Sequence, residues 1–476
     1  MVRRKDKKAA KTQASTTEFP REESRFTVVI VGGGASGIAA ACAIGKIAKM
    51  NFVDVRVVIL ERGRRIGASI LRSGNGRCNF SHEGITPEAY NRPVFVEQVF
   101  EALDTAFTLS PLAESLGQLP GGSSEDAVLQ WFQSLGLVWT ESAQNEGALY
   151  PFSNKATSVL EVLAAELDRC GVERYCGIEV FNIAKISDRY SLDLGDALAE
   201  GELAQSPQAF HADMVVYAVG GALRADVQPT GVLGALDWIP SVPVLGPLQT
   251  DTALLKDLDG MRAKVRLRCT ERGFSEEGEL LFRPYGVSGI VVFDASRFVE
   301  PGDTIVVDLA PDYSLDQLEE FLFERSRVLM RRNGYPHTYR ELLRGFFLPE
   351  LAESLVASGL AELPSATDGL DSEVSGAGIT LLSTSIKAFS LKVTDRGSVD
   401  QSQLSRGGIS VEDVVPTTME AYVNPGFYVT GEVIDVDGPC GGYNLHWAWA
   451  TGLLAGISLM QEHSFRSRIS RDYSDL

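Results

Sequence analysis

The chain has 476 residues with 63 acidic and 44 basic side chains, a formal net charge of −19 at pH 7. Its length allows two or three domains with ample core, and an acidic surface argues against a nucleic-acid partner, whose phosphates need a basic footprint. The six cysteines and five histidines show no paired-ligand spacing, which excludes a zinc signature or disulfide framework and points to reduced thiols in the cytoplasm.

In chain order, residues 1–25 form a polar tail, basic at first, expected to be disordered. The tail has no apolar stretch for a secretory signal, and no later segment is long enough to span a bilayer. From Phe26 to Glu61 the pattern is strand, helix, strand. Val28–Val31 runs into Gly32-Gly33-Gly34-Ala35-Ser36-Gly37, and a small-residue helix begins near Ile38. Gly32 allows the tight turn, Gly34 lets backbone approach a pyrophosphate, and Gly37 lets helix pack on strand. The helix start offers free N–H groups and a positive dipole end to the phosphates. A second buried strand, Val55–Leu60, ends on Glu61, whose carboxylate can accept from a ribose 2′-hydroxyl. The alternative is a structural glycine turn.

A glycine- and arginine-rich loop follows over Arg62–Asn79. Helices are expected over Pro93–Leu116, Ala127–Leu135 and Thr157–Cys170, the last from Val159, Leu160, Leu163 and Leu167 on one face, with a turn at Leu119–Ser124. Gly177–Ile183 and Tyr190–Leu194 read as strands, and Asp213–Ala218 as a buried strand ending at Gly220-Gly221. From Pro240 to Asp308 short strands broken by Gly and Pro suggest a β-rich insertion. Ser314–Ser358 is mostly helical, with Asn333-Gly334-Tyr335-Pro336 punctuating it. Strand character returns at Phe389–Val393 and at Gly426–Gly431, and Asn444–Met460 is a long apolar helix whose girth implies burial. No second strand–GxGxxG–helix unit is visible, since Gly376-Ala377-Gly378 lacks a third glycine and a preceding buried strand.

Two further constellations carry chemistry. In Gly74-Asn75-Gly76-Arg77-Cys78-Asn79 the glycines let backbone wrap a cofactor. Arg77 can pair with phosphate, and Asn79 offers the donor and acceptor that a flavin ring edge requires. An ordinary flexible loop reads equally well. The run Gly431-Glu432-Val433-Ile434-Asp435-Val436-Asp437-Gly438-Pro439-Cys440-Gly441-Gly442-Tyr443-Asn444 leads into the last helix. That helix start can stabilise an anionic reduced flavin, with Glu432 or Asp435 holding ribityl or phosphate-linked hydroxyls. The bland reading is a helix cap at Tyr443 and Asn444 with acidic neighbours.

Together with Tyr150-Pro151-Phe152-Ser153, Ala218-Val219-Gly220-Gly221 and Pro416-Thr417-Thr418-Met419-Glu420, these pieces resemble the aminoacetone oxidase-like, or BaiN-type, flavoproteins, in family order from about Phe26 to Met460. The resemblance implies an α/β fold: a Rossmann-type, glutathione-reductase-like FAD-binding domain with a β-barrel-like insertion and a small helical domain. The corresponding boundaries are 26–239 with 394–476 for the FAD domain, 240–312 with 375–393 for the insertion, and 313–374 for the helical domain. It further implies one FAD, with NAD(P)H as a possible electron donor. Gly32, Gly34 and Gly37, with Ala35 and Ser36, would hold the pyrophosphate, and Glu61 with Arg62 the adenosine ribose. Gly76, Arg77, Cys78 and Asn79 would approach the flavin, and Val180 the adenine through its backbone. Gly220, Gly431, Glu432, Asp435, Gly442, Tyr443 and Asn444 would close over the ribityl and isoalloxazine.

The chain departs from the family where members carry threonine–histidine in the insertion. Here the stretch is Phe282-Arg283-Pro284-Tyr285-Gly286-Val287-Ser288-Gly289-Ile290, and Arg224-Ala225-Asp226-Val227 alters the segment after Gly221. No general base stands out; Tyr285, Tyr443 and Asp437 are the candidates. Cys78 reads as packing rather than as a redox partner, with a Cys78–Cys440 pair as a remote alternative. His446, Trp447 and Trp449 read as core. The expectation is an FAD-dependent oxidoreductase moving a hydride or two electrons between a small organic substrate and flavin, reoxidised by oxygen or reduced by NAD(P)H. The alternatives are reduction of an unsaturated, steroid-like ring, or a non-catalytic redox-sensing flavin binder. No nucleic acid or membrane partner is expected, and oligomeric state is left open.

Overall fold

The computed structural model describes residues 18–113, 126–143, 146–198, 208–221, 229–361, 363 and 368–474, with side chains beyond 464 left aside. Most of the expected tail, the turn Leu119–Ser124 and the stretch Arg224–Val227 therefore lie outside the described residues. The chain divides into two compact units: one runs to Ile239 and resumes over Gly408–Val436 and from Gly441, the other comprises Pro240–Gly407 with Asp437–Cys440.

In the first unit β1 (Phe26–Val31), α1 (Ala35–Met50) and β2 (Val55–Glu61) form as the apolar runs dictate. Five parallel strands make the sheet, in the order Phe427–Val429, Met214–Tyr217, β1, β2, Glu173–Cys176. The chain runs outward from β1 through β2 to Glu173–Cys176, then returns to the other side of β1, so the crevice at the carboxyl ends of β1 and Met214–Tyr217 is a topological switch point. The register aligns those ends, Val31 lying opposite both Tyr217 and Leu60. Val28, Val29 and Ile30 are wholly buried, as a sheet covered on both faces requires.

One cover is α1. Its small residues admit the C-terminal helix Tyr443–Ser474 at close range, and a methyl on Gly452 or Gly456 would collide with Ser36, Ala39, Ala40 or Ala43. That helix is longer than the expected Asn444–Met460. Its other flank buries Trp449 against Phe132, ring centroids 5.2 Å apart, on the helix Ala127–Ser134. No helix among the described residues is long and apolar enough to cross a membrane.

The second unit contains a closed six-stranded barrel, Leu248 pairing with Val287 on one side and Arg396 on the other. Inward Leu267, Leu280, Phe282, Ile305 and Leu391 fill it. Two segments differ from the sequence expectation. Ile290–Ala295 is a helix inside the β-rich stretch, and Gly376–Lys387 is a helix within the residues grouped with the insertion. Ser375 caps the latter by accepting from Gly378 N at 3.1 Å. Gly378 itself is required because a methyl would overlap the Tyr339 hydroxyl. Gly-Ala-Gly is thus a helix start, with Ser375 as the missed signal.

Candidate functional site

The site grows from the turn after β1. Gly32 sits at φ +109°, donates its N–H to Leu60 O at 2.8 Å, and leaves no room for a methyl beside the Ala218 carbonyl. Gly37 likewise faces the Gly32 carbonyl. Gly34 is different: among the described residues, the sole neighbour a methyl there would meet within 4 Å is Ser69 Oγ, at 3.6 Å. α1 starts at this open side with no side-chain cap and no acidic residue in its first turn. A helix start left in that state is suited to an anion. Residues and geometry therefore fit a dinucleotide pyrophosphate.

Glu61 is fixed at the end of β2 by two backbone donors, Gly33 N to Oε2 at 2.8 Å and Gly63 N to Oε1 at 2.5 Å. A carboxylate has about four acceptor positions, so lone pairs are left for ribose hydroxyls. Arg62 is exposed, 3.9 Å from Glu179. Val180 faces Leu194, and the ladder slips between Val180 and Asn182, a bulge that redirects local backbone groups.

The distant C-terminal residues come to the same turn. Ser36 Oγ donates to Thr430 O at 3.4 Å, and Gly431, at φ +77°, could not carry a methyl beside Ser36 Oγ. Gly221 is equally constrained by the Glu432 carboxylate, while Gly220, at φ +77°, faces open space. Gly431 N donates to Thr451 Oγ1 at 3.0 Å. The first and last segments of the chain thus form one site within the first unit.

A third element is the curled loop with Gly74, Asn75, Gly76 and Cys78 all at positive φ. It packs on the start of the C-terminal helix: a methyl on Gly442 would run into the Ser81 carbonyl and lie 2.9 Å from Asn79 Oδ1. Among the described residues, Asn79 Oδ1 is buried with no hydrogen-bond partner, as is Thr430 Oγ1. Buried polar atoms without partners are uncommon and call for a ligand or water. Tyr443 and Asn444 open the helix; the Tyr443 hydroxyl donates to Gly84 O at 3.3 Å, and its ring lies 4.9 Å from His82.

Several of the expected site residues have partners within the protein. Arg77, expected on a phosphate, lies with its guanidinium 4.8 Å from the Tyr150 ring centroid and donates to Gly74 O at 3.2 Å. It braces the loop. Burial pushes the Cys78 thiol up to about 12, so it stays protonated and is a poor nucleophile. Asp435, expected on ribityl hydroxyls, is buried against the Arg92 guanidinium. Asp437, a catalytic candidate, belongs to the second unit and is wholly buried between two guanidiniums. Arg297 Nε donates to Oδ2 at 2.7 Å and Arg406 Nε to Oδ1 at 2.6 Å. Both of its oxygens thus accept from guanidiniums. Tyr285 lies in a barrel turn, its ring 6.0 Å from the Arg283 guanidinium.

His446 is buried, with Nδ1 2.9 Å from Ser81 Oγ and Nε2 3.4 Å from Asp126. Burial lowers its pKa, with His82 adding to the effect and Asp126 opposing it. The neutral tautomer with hydrogen on Nε2 suits both partners. Trp447 and Trp449 donate to Gly431 O and Phe80 O at 3.3 and 3.0 Å, so all three residues are core as read. The sequence reading missed Ser69, Arg92 and the buried hydroxyl of Thr430. Only Thr430 had a signal, its place at the end of a strand before Gly431.

A family model described as "HI0933-like protein Rossmann domain" matches residues 121–458, and one described as "NAD(P)-binding Rossmann-like domain" matches residues 30–95. The 3-dehydro-bile acid delta(4,6)-reductase of Clostridium scindens is 33% identical over 446 residues, 90% of this chain and 97% of that protein. The ribosomal RNA dihydrouridine synthase of Escherichia coli is 26% identical over 92% of this chain and 99% of that protein. Among solved structures, the Escherichia coli quinol fumarate reductase FrdA shares 13% identity over 92% of this chain and 70% of its own, with a TM-score of 0.39.

Proposed function

We propose a reaction direction and a substrate class for this chain, which belongs to the HI0933-like Rossmann family and is an FAD-dependent oxidoreductase. It reduces a ring carbon–carbon double bond conjugated to a carbonyl in a small molecule, with NAD(P)H as electron source. The observation that carries this reading is the end-to-end match, at 33% identity, to a bile-acid reductase. The second relative's name also describes saturation of a conjugated ring bond, in a uridine of RNA. The net charge of −19 favours the small molecule over a polyphosphate substrate.

When bound, FAD supplies hydride transfer, and the protein supplies position and electrostatics. Gly32, Gly34, Ala35, Ser36 and Gly37 would hold the pyrophosphate at the start of α1, and Glu61 the adenosine ribose. Gly220, Gly431 and Glu432 would line the middle of the cofactor, and Gly76, Asn79, Gly442, Tyr443 and Asn444 its flavin end. Asn79, with its unpartnered carbonyl oxygen, is the residue best prepared to bond a ring N–H. His446 keeps the Ser81 segment and the helix start in register as a neutral group.

The test is anaerobic. NADPH or NADH should bleach the yellow protein, and a 3-oxo steroid acid with a conjugated double bond should restore the colour stoichiometrically. Bleaching by small amines, with recolouring by oxygen alone, would instead establish the oxidase reading. Recolouring by ribosomal RNA and by no small enone would move the substrate to RNA.

A further inference from the structure

We propose that Ser69 is a direct ligand of the cofactor's pyrophosphate, closing the side of the cradle that the glycine turn leaves open. The proposal rests on the FAD reading above. Its ground is the contrast among the three glycines of the turn. At Gly32 and Gly37 a side chain is barred by the protein's own backbone. At Gly34 the space is open, and its boundary is the Ser69 hydroxyl, 3.6 Å from the point a methyl would occupy. An oxygen of a phosphate seated beside the Gly34 Cα therefore lies within hydrogen-bond reach of Ser69.

The placement of Ser69 is built rather than incidental. It lies on α2 (Ala68–Arg72), entered through Gly67 at φ +68°. Gly67 N donates to Gly33 O at 2.7 Å, and Ile66 packs against Gly33. This ties the short helix directly to the phosphate turn. Ser69 is exposed, and its hydroxyl bonds to none of the described residues, so it is available to an incoming oxyanion as a charge-assisted donor.

The surroundings share the sign the ligand needs. Arg62, Arg64, Arg65 and Arg72 are all exposed. Among the described residues only Arg62 has a carboxylate nearby, Glu179 at 3.9 Å. In a chain of net charge −19 these four arginines cluster in sequence about Ser69, alongside the Glu61 carboxylate at the turn. The field of such a cluster raises the local concentration of an anionic ligand and its rate of capture.

The experiment uses the full chain freed of flavin and follows quenching of flavin fluorescence on adding FAD. Ser69→Ala should raise the FAD Kd about tenfold, while Ser69→Thr, which keeps the hydroxyl, should stay within about threefold of wild type. Neutralising Arg64 and Arg65 to Gln should slow association at low salt and flatten its dependence on ionic strength. Circular dichroism melts of the flavin-free variants should match wild type. A Ser69→Ala protein that binds FAD as tightly as wild type overturns the proposal and leaves the cofactor reading intact. A wild-type chain that binds no FAD overturns the cofactor reading itself.

Discussion

Three helix starts of the second unit contrast with the start of α1 in the first. In the second unit Ser314, Thr338 and Ser375 each cap a helix by accepting a backbone N–H, and Gln317 and Glu341 complete capping boxes on the first two. In the first unit α1 begins at a glycine with no side-chain cap. Capping contributes about 1 kcal/mol per helix, so its omission at a largely buried helix is a cost the fold bears elsewhere. Other helices of both units also start without a side-chain cap, so what sets α1 apart is the open space beside Gly34 at its start.

Three substitutions probe that contrast. The largest effect is expected for Gly37→Ala, whose methyl meets the Gly32 carbonyl with no side chain free to yield. It should cost about 3 kcal/mol of stability and abolish FAD retention, read by denaturant unfolding and by flavin absorbance in the purified protein.

The next concerns the wall where His446 joins the Ser81 segment to the C-terminal helix. Its pKa is depressed on folding by burial first. Stability is therefore fully present above the unfolded value of about 6.5 and is lost as pH falls below it towards the folded pKa. The loss can reach at most about 1.4 kcal/mol per pH unit. His446→Gln should remove this part of the slope in urea midpoints measured between pH 7 and 5.

The smallest effect is Ser314→Ala, about 1 kcal/mol of stability with FAD affinity unchanged. An equal loss of FAD affinity there would erase the distinction between the two kinds of helix start.

Local patterns were legible in the sequence, and long-range pairings were not. The apolar strand Val28–Val31, its glycine turn and Glu61 lie within 34 residues of one another, and each announces its conformation by residue type. Arg92 finds Asp435 across 343 residues, and Arg297 finds Asp437 across 140. Nothing in either neighbourhood marks those carboxylates as already paired, so Asp435 looked like a ligand group and Asp437 like an acid. The contact of Arg77 with Tyr150 was equally unreadable, because Tyr150 lies on a strand more than seventy residues away. Ser69 escaped notice because an exposed serine on a five-residue helix carries no periodic or capping signal. Its position becomes informative only beside Gly34.

The seam between α1 and the C-terminal helix also sets a timetable. Ser36 and Thr430, which meet at the phosphate turn, are separated by 394 residues. A ribosome adding about 5–20 residues per second needs about 20–80 s to cover that distance. Throughout that interval the alanine face of α1 has been synthesised but its covering helix has not. Maturation of the cofactor site therefore waits on a segment made some four hundred residues later, and the growing polypeptide must shelter a bare apolar ridge until that segment leaves the exit tunnel.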